Sequence, residues 1–105
     1  MRKTLMEWCA LLALLAVGTG YLSADAKSEF KDKCAPCHGK TGAGDSKLGE
    51  NLRVRDLGSP DVQKQSDAEL EAIIVRGRGK MPAYGGKLSK EQIDEIVKWI
   101  RMLKR

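Results

Sequence analysis

The chain has few of the large side chains from which small domains build an interior. Its 105 residues include one Phe, two Trp, two Tyr and a single His. Long apolar runs are few after residue 26, where the predicted leader described below ends. A domain of roughly 80 residues has little interior and usually needs a disulfide, a metal or another staple. The sequence therefore predicts that something other than side chains fills the centre of the fold.

Strand patterns and internal repeats are also missing, so the predicted fold class is all-α. Ser66 and Ser89 each open a capping box, the start signal of a helix, and the first of these helices should stop at Gly77. A shorter helix is predicted over 28–34. The segment 39–60 is rich in glycine and polar residues, and we expect it to be mostly irregular and ordered by a bound ligand.

The first 26 residues have the pattern of a secretory signal peptide. Arg2 and Lys3 form a basic start, an apolar middle follows, and an Ala-x-Ala sequence ends at Ala26. The apolar middle is short for a membrane-spanning helix, which needs roughly 20 residues. We predict a signal peptide over 1–26, with an uncleaved membrane anchor as the alternative, and an exported domain over 27–105 in the periplasm or another lumenal compartment.

The net charge of +5 favours acidic protein surfaces, anionic lipid or nucleic acid as partners. Export argues against nucleic acid. The charges alternate in sign along the chain and form no basic block, so an ordinary solvated surface explains most of them.

The sequence Cys34-Ala35-Pro36-Cys37-His38 carries the chemistry. The order C-x-x-C-H is the signature of covalent haem attachment. Two thiols one helical turn apart can add across the two vinyl groups of haem, and the histidine that follows is placed under the iron as its proximal ligand. A haem would also supply the missing interior. The sequence therefore predicts one haem c, bonded to Cys34 and Cys37, with His38 on its iron.

Three other uses of the cysteine pair fit less well. A thioredoxin-like redox pair needs a strand-rich setting that this sequence lacks. A disulfide between Cys34 and Cys37 would close a very small loop and stabilise little. A zinc site needs about four ligands, and only these two cysteines and His38 follow residue 26, because Cys9 lies in the predicted leader.

With no second histidine in the chain, the other axial ligand of the iron would be a methionine, a lysine or nothing. Met81 lies in a glycine-rich loop before Pro82, and we select it as the ligand; the alternative is a loop anchor packed into the core. Met102 ends the last helix and is interpreted as peripheral core filler. Two axial ligands leave no site for oxygen or peroxide, which favours electron transfer over oxygenase or peroxidase chemistry.

The sequence resembles the class I cytochromes c, especially their small bacterial and photosynthetic members, over residues 26–105. Besides the haem motif, the resemblance rests on Phe30 four residues before Cys34, the glycine-rich stretch 39–44, the loop 79–84 around Met81, and Trp99.

The resemblance implies a cytochrome c fold of three to five helices around one haem, with the first and last helices crossing. We expect a monomeric electron carrier, not an enzyme, because no large apolar face is left unexplained once haem is bound. The resemblance implies that redox proteins or membrane respiratory or photosynthetic complexes dock at its exposed haem edge. The charged residues that it implies around this edge are Lys33, Lys40, Arg78, Lys80 and Lys87. A haem sensor in which Met81 is displaced and a haem-free disulfide-exchange protein are the other functions considered.

One departure concerns the start of the mature chain. The family has a small residue eight positions before the first cysteine, where the helices cross, and Ala26 stands there. Cleavage after Ala26 would remove it. Three alternatives are open: cleavage occurs after Ala24, the leader is retained, or the helix crossing tolerates the loss of Ala26.

Overall fold

The computed structural model describes residues 24–105, which form helices joined by loops. The segments are α1 (Ala24–Glu29), a π-helical turn (Phe30–Cys34), α2 (Ala35–His38), α3 (Lys47–Leu52), α4 (Pro60–Gln63), α5 (Asp67–Arg76) and α6 (Lys90–Met102). No strand occurs in this part of the chain, which confirms the predicted all-α class.

The predicted signal peptide lies almost wholly outside the described residues, which begin at residue 24. Within 24–105, no helix has both the length and the apolar character needed to cross a membrane.

The first three segments form one continuous helical stretch that carries the C-x-x-C-H motif. Within it, the Ala35 N–H donates to the Phe30 carbonyl, five residues back instead of four. This wider turn inserts one extra residue into the helix, a feature common at functional sites. The stretch ends at Gly39, whose φ of 84° favours glycine. The predicted helix over 28–34 is confirmed and extends further in both directions.

The first helical stretch crosses α6, as the resemblance implies. The rings of Phe30 and Trp99 meet edge to face, with centroids 6.2 Å apart and an interplanar angle of 60°. Beside them, Gln92 Nε2 donates to Glu29 Oε1 at 3.4 Å. Ala26 is only 2% exposed. The small residue that the family has at this position is therefore part of the packed core.

Helices α5 and α6 begin where the sequence predicts, and α5 also ends there. Ser66 Oγ accepts the Glu69 N–H at the start of α5, and Gly77 follows its last residue with a φ of 74°. Ser89 and Gln92 form the complete capping box of α6. The two helices pack through a common apolar core of Leu70, Ile74, Ile93, Ile96, Val97 and Ile100. Burying each of these side chains contributes about 1.5–3 kcal/mol.

The segment 39–60 is more regular than predicted, because it contains α3. Ser46 caps this helix, with its Oγ accepting the Gly49 N–H at 2.9 Å and donating to the Cys37 carbonyl at 2.7 Å. A β-carbon at Gly49 would clash with that same carbonyl oxygen. This glycine therefore reflects close packing of α3 on the haem motif, whereas the sequence suggested irregular backbone.

The interpretation of Met102 as core filler is wrong. Its side chain is 64% exposed, because it lies on the solvent side of the last turn of α6.

Candidate functional site

A cavity of about 520 Å³ lies between the first helical stretch, the end of α3, helices α4 to α6 and the loop over 77–88. All four residues predicted to hold haem line it: Cys34, Cys37, His38 and Met81. Its volume is within the range of cofactor sites, about 300–1,000 Å³. Most of the other lining side chains are apolar, namely Phe30, Leu52, Val54, Leu57, Val62, Leu70, Ile73, Ile74, Ile96 and Ile100. The fold thus brings the predicted ligands together around an apolar space.

Cys34 and Cys37 are free, half-buried thiols at the junction of the π-helical turn and α2. Burial raises the pKa of the Cys34 thiol to about 11 because the thiolate loses its hydration. At neutral pH this sulfur is therefore held as a protonated thiol facing the cavity. A protonated thiol is the form that can give both its sulfur and its hydrogen to a double bond.

His38 is the last residue of α2 and is half-buried. Burial lowers its pKa, because the charged imidazolium loses its hydration. The neutral ring, which is the form that binds metals, is therefore favoured. Among the described side chains, His38 Nδ1 is one of the few buried polar atoms without a hydrogen-bond partner.

Met81 lies in a tight turn between α5 and α6. The backbone of Arg78 and Met81 exchanges two hydrogen bonds of 3.1 and 2.9 Å around Gly79, whose φ is 57°. At Gly77 a β-carbon would stand 2.5 Å from the Met81 carbonyl oxygen. Both glycines are needed for the turn to close, and the closed turn presents the half-buried Met81 to the cavity.

The far end of this loop is tied to α5 and to the haem motif. Tyr84 N donates to the Ile74 carbonyl at 2.9 Å, and Gly85 N donates to the Val75 carbonyl at 3.1 Å. The Tyr84 hydroxyl donates to the Lys33 carbonyl at 3.1 Å. The loop is thus fixed at one end to α5 and to the residue that precedes Cys34.

The charged lining of the cavity is entirely basic among the residues that the structure describes. Five cationic residues line it, Lys33, Arg53, Arg55, Arg78 and Lys80, and no Asp or Glu does. Lys33 forms an ion pair with Glu29. The other four are exposed and have no acidic partner within residues 24–105. They concentrate positive potential at the cavity mouth.

Only three of the five charged residues that the resemblance implies around the haem edge line this cavity. Lys33, Arg78 and Lys80 line the cavity, whereas Lys40 and Lys87 do not. Arg53 and Arg55 line it and were missed. Arg53 adopts a φ of 55°, in the left-handed region, where it ends α3. No signal in the sequence marks that turn, because arginine rarely takes this conformation.

These residues fit a haem, a flat, mostly apolar body with a polar edge. The apolar lining suits its faces, and the two thiols, the imidazole of His38 and the thioether of Met81 all line the same cavity. Gln65 also lines the cavity, and its Oε1 is buried without a partner within the described chain. Buried polar atoms in folded proteins almost always have partners. The unpaired Oε1 of Gln65, a residue of the cavity wall, therefore points to a bound group.

Comparison with known proteins supports the same assignment. The family described as cytochrome c oxidase, cbb3-type, subunit III, matches residues 23–100. Cytochrome c6 of Microcystis aeruginosa is 33% identical over 81 residues, which cover 72% of this chain and 90% of that protein. The cbb3-type cytochrome c oxidase subunit FixP of Rhizobium etli is 29% identical over 89 residues, which cover 78% of this chain and 28% of FixP.

Among solved structures, the KustC0563 c-type cytochrome has the same helical architecture. It superposes with a TM-score of 0.71 at 28% sequence identity, covering 76% of this chain and 98% of that one. The family match covers most of the chain and includes the cavity with its C-x-x-C-H helix. The chain therefore belongs to this family of c-type cytochromes, and it is a small class I cytochrome c, an electron carrier of the kind that binds haem c covalently.

Proposed function

We propose that the protein is an exported monohaem cytochrome c that carries one electron at a time, with the iron held by His38 and Met81. The observation that supports this most strongly is that Cys34, Cys37, His38 and Met81, up to 47 positions apart in the sequence, line one apolar cavity. The haem, when bound, supplies the one-electron change between ferric and ferrous iron.

The two cysteines would attach the haem. Each thiol would add across one vinyl group, with its sulfur bonding to one carbon and its hydrogen going to the other. Cys34 and Cys37 lie on the same helical stretch as His38, so attachment would fix the haem plane relative to this imidazole. Permanent attachment suits an exported carrier, because dilution cannot remove its cofactor.

His38 and Met81 would both ligate the iron. Burial favours the neutral imidazole of His38, which can donate its lone pair. The soft thioether of Met81 would favour ferrous iron and so raise the reduction potential. An iron held by both His38 and Met81 would have no free site for oxygen. This arrangement supports electron carriage over the sensing of gases.

The axial assignment is tested by the absorption spectrum of the ferric protein. A Met–iron bond gives a weak charge-transfer band in the red, which Met81→Ala should abolish. Met102→Ala is the matched control, because Met102 is exposed on the solvent side of α6 and should leave the band unchanged. Survival of the band in Met81→Ala would refute the assignment. Carbon monoxide binding by the wild-type ferrous protein would favour the sensor function.

Redox proteins, or membrane respiratory or photosynthetic complexes, would dock at the cavity mouth. Its four exposed cations, Arg53, Arg55, Arg78 and Lys80, have no acidic partners within the described chain. Such a surface attracts an acidic protein and speeds its approach at low salt. We therefore propose a partner with an acidic docking surface, met at the exposed haem edge.

Export through a signal peptide within residues 1–26 completes the proposal. Helix α1 begins at Ala24, and Ala26 is buried where the first helical stretch crosses α6. Cleavage after Ala26 would remove this packed residue. We therefore favour cleavage after Ala24, which leaves Ala26 in the mature chain and places the protein in the periplasm or a lumenal compartment.

A further inference from the structure

We propose that Tyr84 is a positioning residue that holds Met81 at the iron by fastening the methionine loop to the helix of the C-x-x-C-H motif. This inference rests on the proposed His38 and Met81 ligation. The Tyr84 hydroxyl donates to the Lys33 carbonyl at 3.1 Å, and Lys33 immediately precedes Cys34. One phenol thus joins the two segments that carry the proposed ligands of the haem.

This hydrogen bond is the one that joins the methionine loop to the first helical stretch. The other anchors of the loop run to α5, from Tyr84 N to Ile74 and from Gly85 N to Val75. Within residues 24–105, no other hydrogen bond joins the loop over 77–88 to the first helical stretch. Without the phenol hydroxyl, the loop would remain attached to α5 but would have no hydrogen bond to the haem motif.

The position of Tyr84 couples it closely to Met81. Only Pro82 and Ala83 separate them, and each residue spans at most about 3.6 Å, so a shift of Tyr84 is passed on to Met81 with little slack. The Tyr84 ring packs against the apolar core, and the ammonium group of Lys87 lies 5.6 Å from its centroid. The ring is therefore fixed by packing, while its hydroxyl makes the specific link to Lys33.

The expected effect follows from the strength of one neutral hydrogen bond. Such a bond shifts an equilibrium between closed and open loops by roughly 2- to 12-fold. Tyr84→Phe removes only the hydroxyl and keeps the ring in the core. We therefore expect the variant to fold and to bind haem as the wild type does, but to release Met81 from the iron more easily.

The experiment is a titration of the ferric protein with imidazole, which competes with Met81 for the iron. The readout is loss of the red charge-transfer band. Tyr84→Phe should lower the apparent Kd for imidazole by roughly 2- to 12-fold. Lys87→Gln is the matched control: it removes the cation above the same ring, keeps the hydroxyl, and should leave this Kd unchanged.

The outcomes separate the inference from the function on which it rests. An equal imidazole Kd in Tyr84→Phe and wild type, both showing the band, would overturn the role of Tyr84 and leave the ligation intact. A wild-type protein without the band would overturn both. Tyr84→Phe could instead lower the urea concentration at which the protein unfolds and leave the imidazole Kd unchanged. That result would also count against the inference, because it would show a purely structural role for Tyr84.

Discussion

Gly49 of α3 packs directly against the carbonyl group of Cys37, so that no side chain fits between them. Ser46 bridges the same pair, accepting from Gly49 N and donating to the Cys37 oxygen. Helix α3 thereby supports the haem motif at the Cys37 carbonyl. The placement of Cys37 and His38 depends on this contact.

Gly49→Ala should therefore destabilise the fold and lower the yield of haem-loaded protein. A β-carbon there meets rigid backbone, and overpacking of this kind typically costs about 1–3 kcal/mol. The measurement is the free energy of unfolding in urea, together with the fraction of purified chain that carries haem. Gly86→Ala is the control, because a β-carbon at Gly86 meets nothing within 4 Å. Equal stability of the two variants would contradict the role given to the Gly49 contact.

The crossing of the first and last helices should depend on Trp99. Its edge-to-face contact with Phe30 and its half-buried ring predict that Trp99→Ala lowers the free energy of unfolding by about 2–3 kcal/mol. Met102→Ala, on the exposed side of the same helix, should change it by less than about 0.5 kcal/mol. Urea denaturation followed by far-ultraviolet circular dichroism measures both. A loss for Trp99→Ala no larger than that of the control would argue against this crossing as a source of stability.

The basic cavity mouth should control the rate of reaction with anionic redox reagents. Arg78→Glu combined with Lys80→Glu should slow oxidation of the ferrous protein by hexacyanoferrate(III) by about tenfold or more at low salt. The difference should shrink above about 0.1 M salt, where screening shortens the range of the field.

The matched control keeps the same change in net charge but moves it away from the cavity. Lys64→Glu combined with Lys98→Glu alters two cations that pair with Asp61 and Glu95 and do not line the cavity. The oxidation rate of this variant should fall much less than that of the Arg78→Glu, Lys80→Glu variant. Equal slowing in both double variants would mean that net charge alone, and no local surface, governs the reaction.

The start of the mature protein should preserve the packed Ala26. Mass spectrometry of the exported protein should give a chain that begins at Asp25 or earlier, because Ala26 is buried at the helix crossing. A mature chain that begins at Lys27 and is as stable as a longer version would show that the crossing tolerates the loss.

The parts of the fold that local sequence determines could be predicted. Ser66 and Ser89 mark the starts of α5 and α6 because their hydroxyls satisfy backbone N–H groups within the same turn. Gly77 marks the end of α5 for an equally local reason, its positive φ. The haem motif is contiguous, so its residues could be identified before their surroundings were known.

The parts that depend on distant contacts could not be predicted. Helix α3 was missed because Gly49 weakens its local helical signal, and only its packing on Cys37 explains the glycine. Arg53 and Arg55 were missed because the left-handed turn at Arg53 brings them to the cavity. The phenol bond from Tyr84 to Lys33 spans 51 positions. Such a pairing leaves no periodic trace in the sequence.

The central claim, that Cys34 and Cys37 bond covalently to a haem inside this cavity, is tested most directly by the mass of the denatured protein. After expression with working haem-maturation machinery, acid–acetone extraction and denaturation, we expect each wild-type chain to retain the mass of one haem. Purification of a colourless, folded chain with free thiols at both cysteines would contradict the claim.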